Sequence, residues 1–235
     1  MKFIHLLYVP TMACNMACRY CYLEDNTRDQ MKEHQPLETL DFAVRKLREA
    51  QVVPFNISLH GGEATTLSEE DFEALVAYVS NYYQENYDLL SDYGFKVGTP
   101  HVKTNLLGLE RHLPAIEKYR VSISGSIDLP LSLHDEYRLT KGGQKTLETI
   151  LRNVEMLRKI NCKKKVSATI FKEHFQRIGE IVSDIKYLHS HTCLDMNDFN
   201  FMIGFQGSSN GLLHPLSELI NEALAESGAE KLGFE

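Results

Sequence analysis

Short apolar runs rich in β-branched residues alternate about six times with segments of helical period, and this alternation most constrains the fold. Strands are predicted at about Phe3–Val9, Asn56–Leu59, Lys96–Lys103, Val121–Ile127, Val166–Ile170 and Asn200–Phe205. Pro100 disturbs the third, because proline brings no N–H to a ladder. Helices are predicted at about Leu37–Ala50, from an N-cap at Ser68 through Tyr87, and at Leu109–Tyr119. Two more follow from the apolar faces Leu147, Ile150, Leu151, Val154, Leu157 and Ile178, Ile181, Val182, Ile185, Leu188. A sixth is expected at Leu216–Glu226.

A repeated βα unit implies a parallel α/β sheet, either an open doubly wound sheet or a curved partial barrel; the pattern alone leaves both open. No proline- or serine-rich linker divides the 235 residues, so residues 1–235 are read as one domain. Lys163–Lys165 reads as a solvated turn. The net charge of −7 argues against a dedicated nucleic-acid binder, though not against a small anionic ligand in a local pocket. Phe3–Val9 is too short for a signal segment or a membrane span, so no membrane association and a cytoplasmic location are expected.

The unusual residues fall at strand ends. Cysteines follow the first strand, Gly61-Gly62-Glu63 the second, and Thr104-Asn105 the third, while Ser126 and Asp128 close the fourth. In parallel sheets these carboxyl ends meet on one face and build the site.

Of five cysteines, Cys14, Cys18 and Cys21 lie in a C-x3-C-x2-C cluster, and Cys162 and Cys193 stand alone as expected buried thiols. An odd, clustered set is a ligand pattern rather than a disulfide framework. Thiolates suit zinc or an iron–sulfur centre. Zinc would need a fourth ligand, from His5, His60 or a distant cysteine. On a four-iron cube, three thiolates leave one iron free for substrate or cofactor.

The triad with Tyr20 before its last cysteine resembles the signature of the radical S-adenosylmethionine (SAM) superfamily. His60-Gly61-Gly62-Glu63-Ala64 is similar to that family's Gly-Gly-Glu-Pro segment, with Ala64 in place of proline. The resemblance implies a partial (β/α)6 TIM-type barrel. It implies a [4Fe–4S] cluster on Cys14, Cys18 and Cys21, whose open iron chelates SAM. Reductive cleavage of SAM then yields a 5′-deoxyadenosyl radical that abstracts a substrate hydrogen. Gly61 and Gly62 would let the backbone approach the cofactor, and Glu63 would face its ammonium group. Lys103-Thr104-Asn105 looks like the Thr-Asn element; Asn105 is expected at the cofactor or, equally, as a turn former. Ser126, with Ser124 second, would contact ribose or carboxylate, and Asp128 would stand behind them. His134-Asp135-Glu136-Tyr137-Arg138 is similar to a His-Asp-x-x-Arg segment, so Arg138 would pair with the cofactor carboxylate or else form a surface ion pair. Tyr20 would touch adenine or simply pack. His134 is expected to be a hydrogen-bonded structural residue, and Gly142-Gly143 to form the turn into the next helix.

Over about residues 1–205 the pattern looks most like peptide-modifying members, including the anaerobic sulfatase-maturating type. Those usually continue into a cysteine-rich SPASM extension. Here Cys162 and Cys193 are too few for another four-iron cluster, so a minimal or truncated core is expected. The resemblance implies a peptide or protein substrate and a flavodoxin- or ferredoxin-type electron donor; it assigns no catalytic base. Two other readings stay open: a non-catalytic cluster- or SAM-binding sensor or partner subunit, and a zinc-stabilised α/β domain.

Overall fold

A computed structural model describes residues 1–23, 35–203 and 233–234. Among these residues seven strands form one fully parallel sheet in sequential order: β1 (Lys2–Tyr8), β2 (Val52–Leu59), β3 (His101–Thr104), β4 (Ser122–Ser126), β5 (Lys164–Ile170), β6 (Phe199–Ile203) and β7 (Gly233–Phe234). The sheet curls into a half-barrel, the partial TIM-type barrel expected. Its curvature brings Lys103 Nζ on β3 to within 3.0 Å of Met202 Sδ on β6, across the concave side.

Alternation along each strand sorts the side chains. Val102, Ile123, Val166, Ala168, Phe199 and Phe201 join the buried core. His101, Lys103, Ser122, Ser124, Lys165 and Ser167 are their alternates and face the concavity.

Among the described residues seven α-helices connect the strands: α1 (Pro36–Glu49), α2 (Glu69–Glu85), α3 (Tyr87–Asp92), α4 (Leu113–Lys118), α5 (Leu131–Tyr137), α6 (Leu147–Met156) and α7 (Ile178–His191). Proline in the first turn starts α1, where a missing N–H costs nothing. Ser68 caps α2 as expected, its hydroxyl accepting from Asp71 N at 3.0 Å. The α2 face of Phe72, Leu75, Val76 and Val79 is fully buried against the sheet core.

Four expectations are corrected. The third strand starts only after Pro100, whose carbonyl instead accepts from Ser122 N at 2.7 Å. Asn86 ends α2 before Tyr87, and α3 begins afresh. Lys164 and Lys165 belong to β5 rather than a turn; Lys164 Nζ folds back onto the carbonyls of Ile160 and Cys162 at 2.9 and 3.1 Å. Cys162 and Cys193 are half-buried, packed against the core near one another. The helix expected at Leu216–Glu226 lies outside the described residues.

Candidate active site at the strand ends

The loop after β1 carries the three cysteines and is clamped from two sides. On one side Gly62 N donates to Thr11 O at 3.0 Å and Glu63 N to Ala13 O at 2.7 Å. On the other, Ala17 N and Arg19 N donate to the carbonyls of Leu139 and Tyr137, both at 2.9 Å, at the C-terminal end of α5 and just past it. Gly61 and Gly62 make the first clamp possible. Gly61 has φ +125°, and a Cβ there would meet Thr11 O at 2.6 Å; a Cβ on Gly62 would run into the carbonyls of Met12 and Ala13. These glycines let the backbone pass close against the cysteine loop.

Cys14, Cys18 and Cys21 are all half-exposed; Cys21 acts on the Cys14 thiol, and both Cys14 and Cys21 act on Cys18. Cys14 Sγ accepts from Met16 N at 3.4 Å and from Asn105 Nδ2 at 3.8 Å. Burial pushes the Cys18 thiol up to about 11, while Arg138 pulls it down and Asp128 pushes it up. Burial likewise raises Cys14, against the Met16 N–H. Ligation must displace those protons, so uptake of a thiophilic group rises with pH. Among the described residues, no three His, Cys, Asp or Glu side chains converge on a point that would hold one ion. A single zinc would draw its sulfurs to about 3.8 Å of each other. Three thiols on one short loop can serve a polynuclear group, with one thiolate to each of three irons. His60, weighed as a fourth ligand, has Lys103 and His5 as its charged neighbours.

Glu63 is 2% exposed, and four protein donors surround its carboxylate. Oε1 accepts from Thr65 N (3.0 Å), Thr65 Oγ1 (2.7 Å) and Thr104 Oγ1 (2.7 Å); Oε2 accepts from Asn105 N (2.6 Å). Glu63 thus ties the ends of β2 and β3 together. Asn105 is a turn former and more. Its Oδ1 accepts from Leu107 N at 3.0 Å, and its amide reaches Asn15 Oδ1 at 2.6 Å beside Cys14.

Arg138 is buried, not on the surface. Nη1 donates to the Tyr20 hydroxyl at 2.7 Å, and Tyr20 donates to Asp128 Oδ2 at 2.5 Å. Asp128 Oδ1 accepts from Thr169 N at 3.1 Å. Arg138 Nε is buried with no partner, and Nη2 lies 3.9 Å from Met16 Sδ. A buried, incompletely partnered guanidinium beside Cys18 fits an anionic ligand at the cysteine loop. Tyr20 also packs on Phe171, ring centroids 5.4 Å apart. His134 is structural: Nδ1 accepts from Asp128 N at 3.1 Å, and Nε2 meets Thr146 Oγ1 at 3.2 Å. Asp135 accepts from Thr146 N and Leu147 N, holding the start of α6. Ser126 is half-buried at the end of β4, whereas Ser124 Oγ is engaged by Ser167 Oγ at 3.2 Å. The roles of Asn15, Met16 and Thr65 have no sequence signal beyond proximity to a motif, and that of Thr169 has none.

The Radical SAM superfamily model matches residues 8–185. An uncharacterized protein of Synechocystis sp. is 27% identical over 196 residues, covering 81% of this chain and 46% of the relative. A cysteine-type anaerobic sulfatase-maturating enzyme of Clostridium novyi is 24% identical over 212 residues, covering 84% and 54%. The chain thus spans about half the length of these curated relatives. Native anSMEcpe with bound AdoMet superposes with a TM-score of 0.69 at 15% identity, covering 100% of this chain and 64% of that one. A spore photoproduct lyase mutant with bound AdoMet and dinucleoside spore photoproduct gives 0.52 at 12%, covering 94% and 61%. These likenesses establish the fold. Among the described residues, no helix is long and apolar enough to cross a membrane.

Proposed function

The chain belongs to the radical SAM superfamily, and from that premise we propose that it is a peptide- or protein-modifying radical enzyme. Members of the superfamily use a [4Fe–4S] cluster and SAM. When bound, these supply a 5′-deoxyadenosyl radical that abstracts a hydrogen from substrate. The observation that carries the reading is the clamped loop holding Cys14, Cys18 and Cys21 above the buried, partly unpartnered Arg138.

In this reading the chain is one radical SAM core, residues 1–235. Cys14, Cys18 and Cys21 hold three irons and leave the fourth open. Gly61, Gly62, Glu63 and Asn105 fix the loop that carries them. Ser126 offers a hydroxyl to the ribose or carboxylate of SAM. Arg138 directs positive charge at the carboxylate end, and Tyr20 orients the guanidinium while its ring borders the adenine. A peptide substrate is supported by the solved structure of anSMEcpe with bound AdoMet and Cp18Cys peptide, whose fold this chain shares. The electron comes from a flavodoxin- or ferredoxin-type donor.

Anaerobic reconstitution tests the ligand set. About four irons and four sulfides per chain are expected, falling sharply when Cys14, Cys18 and Cys21 are replaced together by alanine. A metal content of one zinc per chain, lost in the same variant, contradicts the reading.

A further inference from the structure

The buried face of α6 carries Ile150, Asn153 and Val154, so a carboxamide sits among core residues. A buried amide is costly unless its hydrogens are taken up. Asn153 Nδ2 donates to Leu106 O at 2.8 Å and to Leu107 O at 3.2 Å. These carbonyls belong to the turn after β3, where Leu106 takes φ +70°, a conformation unfavourable for leucine. Leu106 N donates to Thr104 Oγ1 at 3.0 Å. Its side chain lies so close over Gly125 of β4 that a Cβ there would meet it at 2.5 Å. Helix, strand and turn together therefore fix the residue before it, Asn105, which is itself buried.

The Asn105 carboxamide can point only one way. Its Oδ1 accepts from Leu107 N at 3.0 Å, so its amino group faces the cysteine loop. There Nδ2 donates to Asn15 Oδ1 at 2.6 Å and to Cys14 Sγ at 3.8 Å. A flipped amide would set oxygen against both acceptors and N–H against N–H. Cys14 Sγ also accepts from Met16 N at 3.4 Å, a backbone donor that substitution leaves in place. Asn105 Nδ2 is the side-chain donor.

An N–H aimed at a cluster sulfur favours the more negative, reduced state and so raises the reduction potential. The contact strengthens when the sulfur is a thiolate. We propose that Asn105 donates to the Cys14 thiolate and raises the reduction potential of the cluster, and that Asn153 is the positioning residue that aims it. The inference rests on the proposed function, in which Cys14 ligates one iron and the cluster takes one electron from a flavodoxin- or ferredoxin-type donor. Asn105 eases that one-electron uptake without joining the ligand set.

The test uses the full chain, reconstituted anaerobically without SAM and poised at a series of potentials with dithionite and mediators. The reduced cluster is read by EPR. Asn105→Asp keeps the acceptor for Leu107 N and exchanges the amino group for an oxygen; Asn105→Ser removes the carboxamide. In both, the reduction equilibrium should fall at least about ten-fold, the scale of one hydrogen bond to a charged group, or about 59 mV for a one-electron couple. Asn153→Leu removes the anchor from α6 and should lower the potential in the same direction by less. Thr66→Val is the control. It releases Thr66 Oγ1 from Glu63 O at 2.7 Å and Ala13 O at 3.4 Å, loosening the same loop without removing a donor to sulfur, and its potential should match the parent's. Protein grown on nitrogen-15 asparagine gives a second readout. Pulsed EPR of the reduced parent should show a nitrogen-15 coupling that weakens in Asn153→Leu and is lost in Asn105→Asp. Parent-like potentials in the loaded Asn105 variants, an equal drop in Thr66→Val, or no such coupling in the parent overturns the role of Asn105; a parent-like Asn153→Leu overturns that of Asn153. If the Asn105 variants take up no cluster, the potential and coupling of Asn153→Leu against the parent decide. A parent that assembles no four-iron cluster fails the proposed function and this role with it. A parent that assembles one, with unshifted variants, fails this role alone.

Discussion

Arg138 Nη1 donates to the Tyr20 hydroxyl at 2.7 Å, and through that hydroxyl the guanidinium is linked to Asp128 at the end of β4. One bond thus joins the cysteine loop to the fourth strand. Tyr20→Phe removes the shared hydroxyl and leaves a buried donor and a buried acceptor facing each other without contact. The expected cost is about 1–3 kcal/mol. In cluster-free protein that should lower Tm by about 2–4 °C for each kcal/mol. A melt unchanged from the parent contradicts the linkage.

Glu63 accepts four hydrogen bonds and joins two strand ends. Glu63→Gln turns an acceptor into a donor somewhere in that set, so at least one N–H or O–H is left facing another. A loss of about 2–3 kcal/mol is expected in urea unfolding, the range for hydrogen bonds to a charged group. Iron retention after reconstitution should fall in parallel, because Glu63 N also anchors the cysteine loop. Full stability with lost SAM binding would instead assign Glu63 to direct contact alone.

Gly62→Ala drives a Cβ into the carbonyls of Met12 and Ala13, so the cysteine loop must shift. Iron content should drop well below that of the parent, with far-UV circular dichroism nearly unchanged. Gly142→Ala is the control: the nearest atom to a Cβ there is Thr140 Oγ1 at 3.8 Å. Equal iron loadings in the two variants would show that Gly62 does not set the loop.

His134 is held down to about 4 from 6.5, by burial first and Arg138 second, with Asp128 and Asp135 opposing. As pH falls, the unfolded chain takes up this proton before the folded one does. The contribution is therefore fully present above about pH 6.5 and lost toward pH 4, reaching at most of order 3 kcal/mol for this group. His134→Asn keeps an acceptor for Asp128 N and cannot titrate. Its stability should fall less steeply between pH 6.5 and 4 than the parent's; parallel curves would place the proton uptake elsewhere.

The strands were legible in the sequence because both faces of a parallel sheet need a side-chain rule: apolar alternates such as Ile123 and Val166 pack on helices, polar alternates line the concavity. The cysteine spacing, the Gly-Gly-Glu turn and the strand-end clustering were legible too, since each is local. Lys163–Lys165 misled because charge reads as solvent exposure, whereas the concave face of β5 accommodates Lys165 and the Lys164 ammonium bonds backbone carbonyls. The contacts of Tyr20 with Arg138 and Asp128 span more than a hundred residues of chain, and no local pattern announces them. Glu63 was legible as a site residue but not in its bonding, because its partners depend on how β2 and β3 align.

The central claim is that three thiolates at the head of a half-barrel support reductive cleavage of SAM. Anaerobically reconstituted protein, given dithionite and SAM, should form 5′-deoxyadenosine detectable by chromatography, and the alanine triple variant of Cys14, Cys18 and Cys21 should form none. A sample with a full complement of iron and sulfide that binds SAM yet releases no 5′-deoxyadenosine would contradict it.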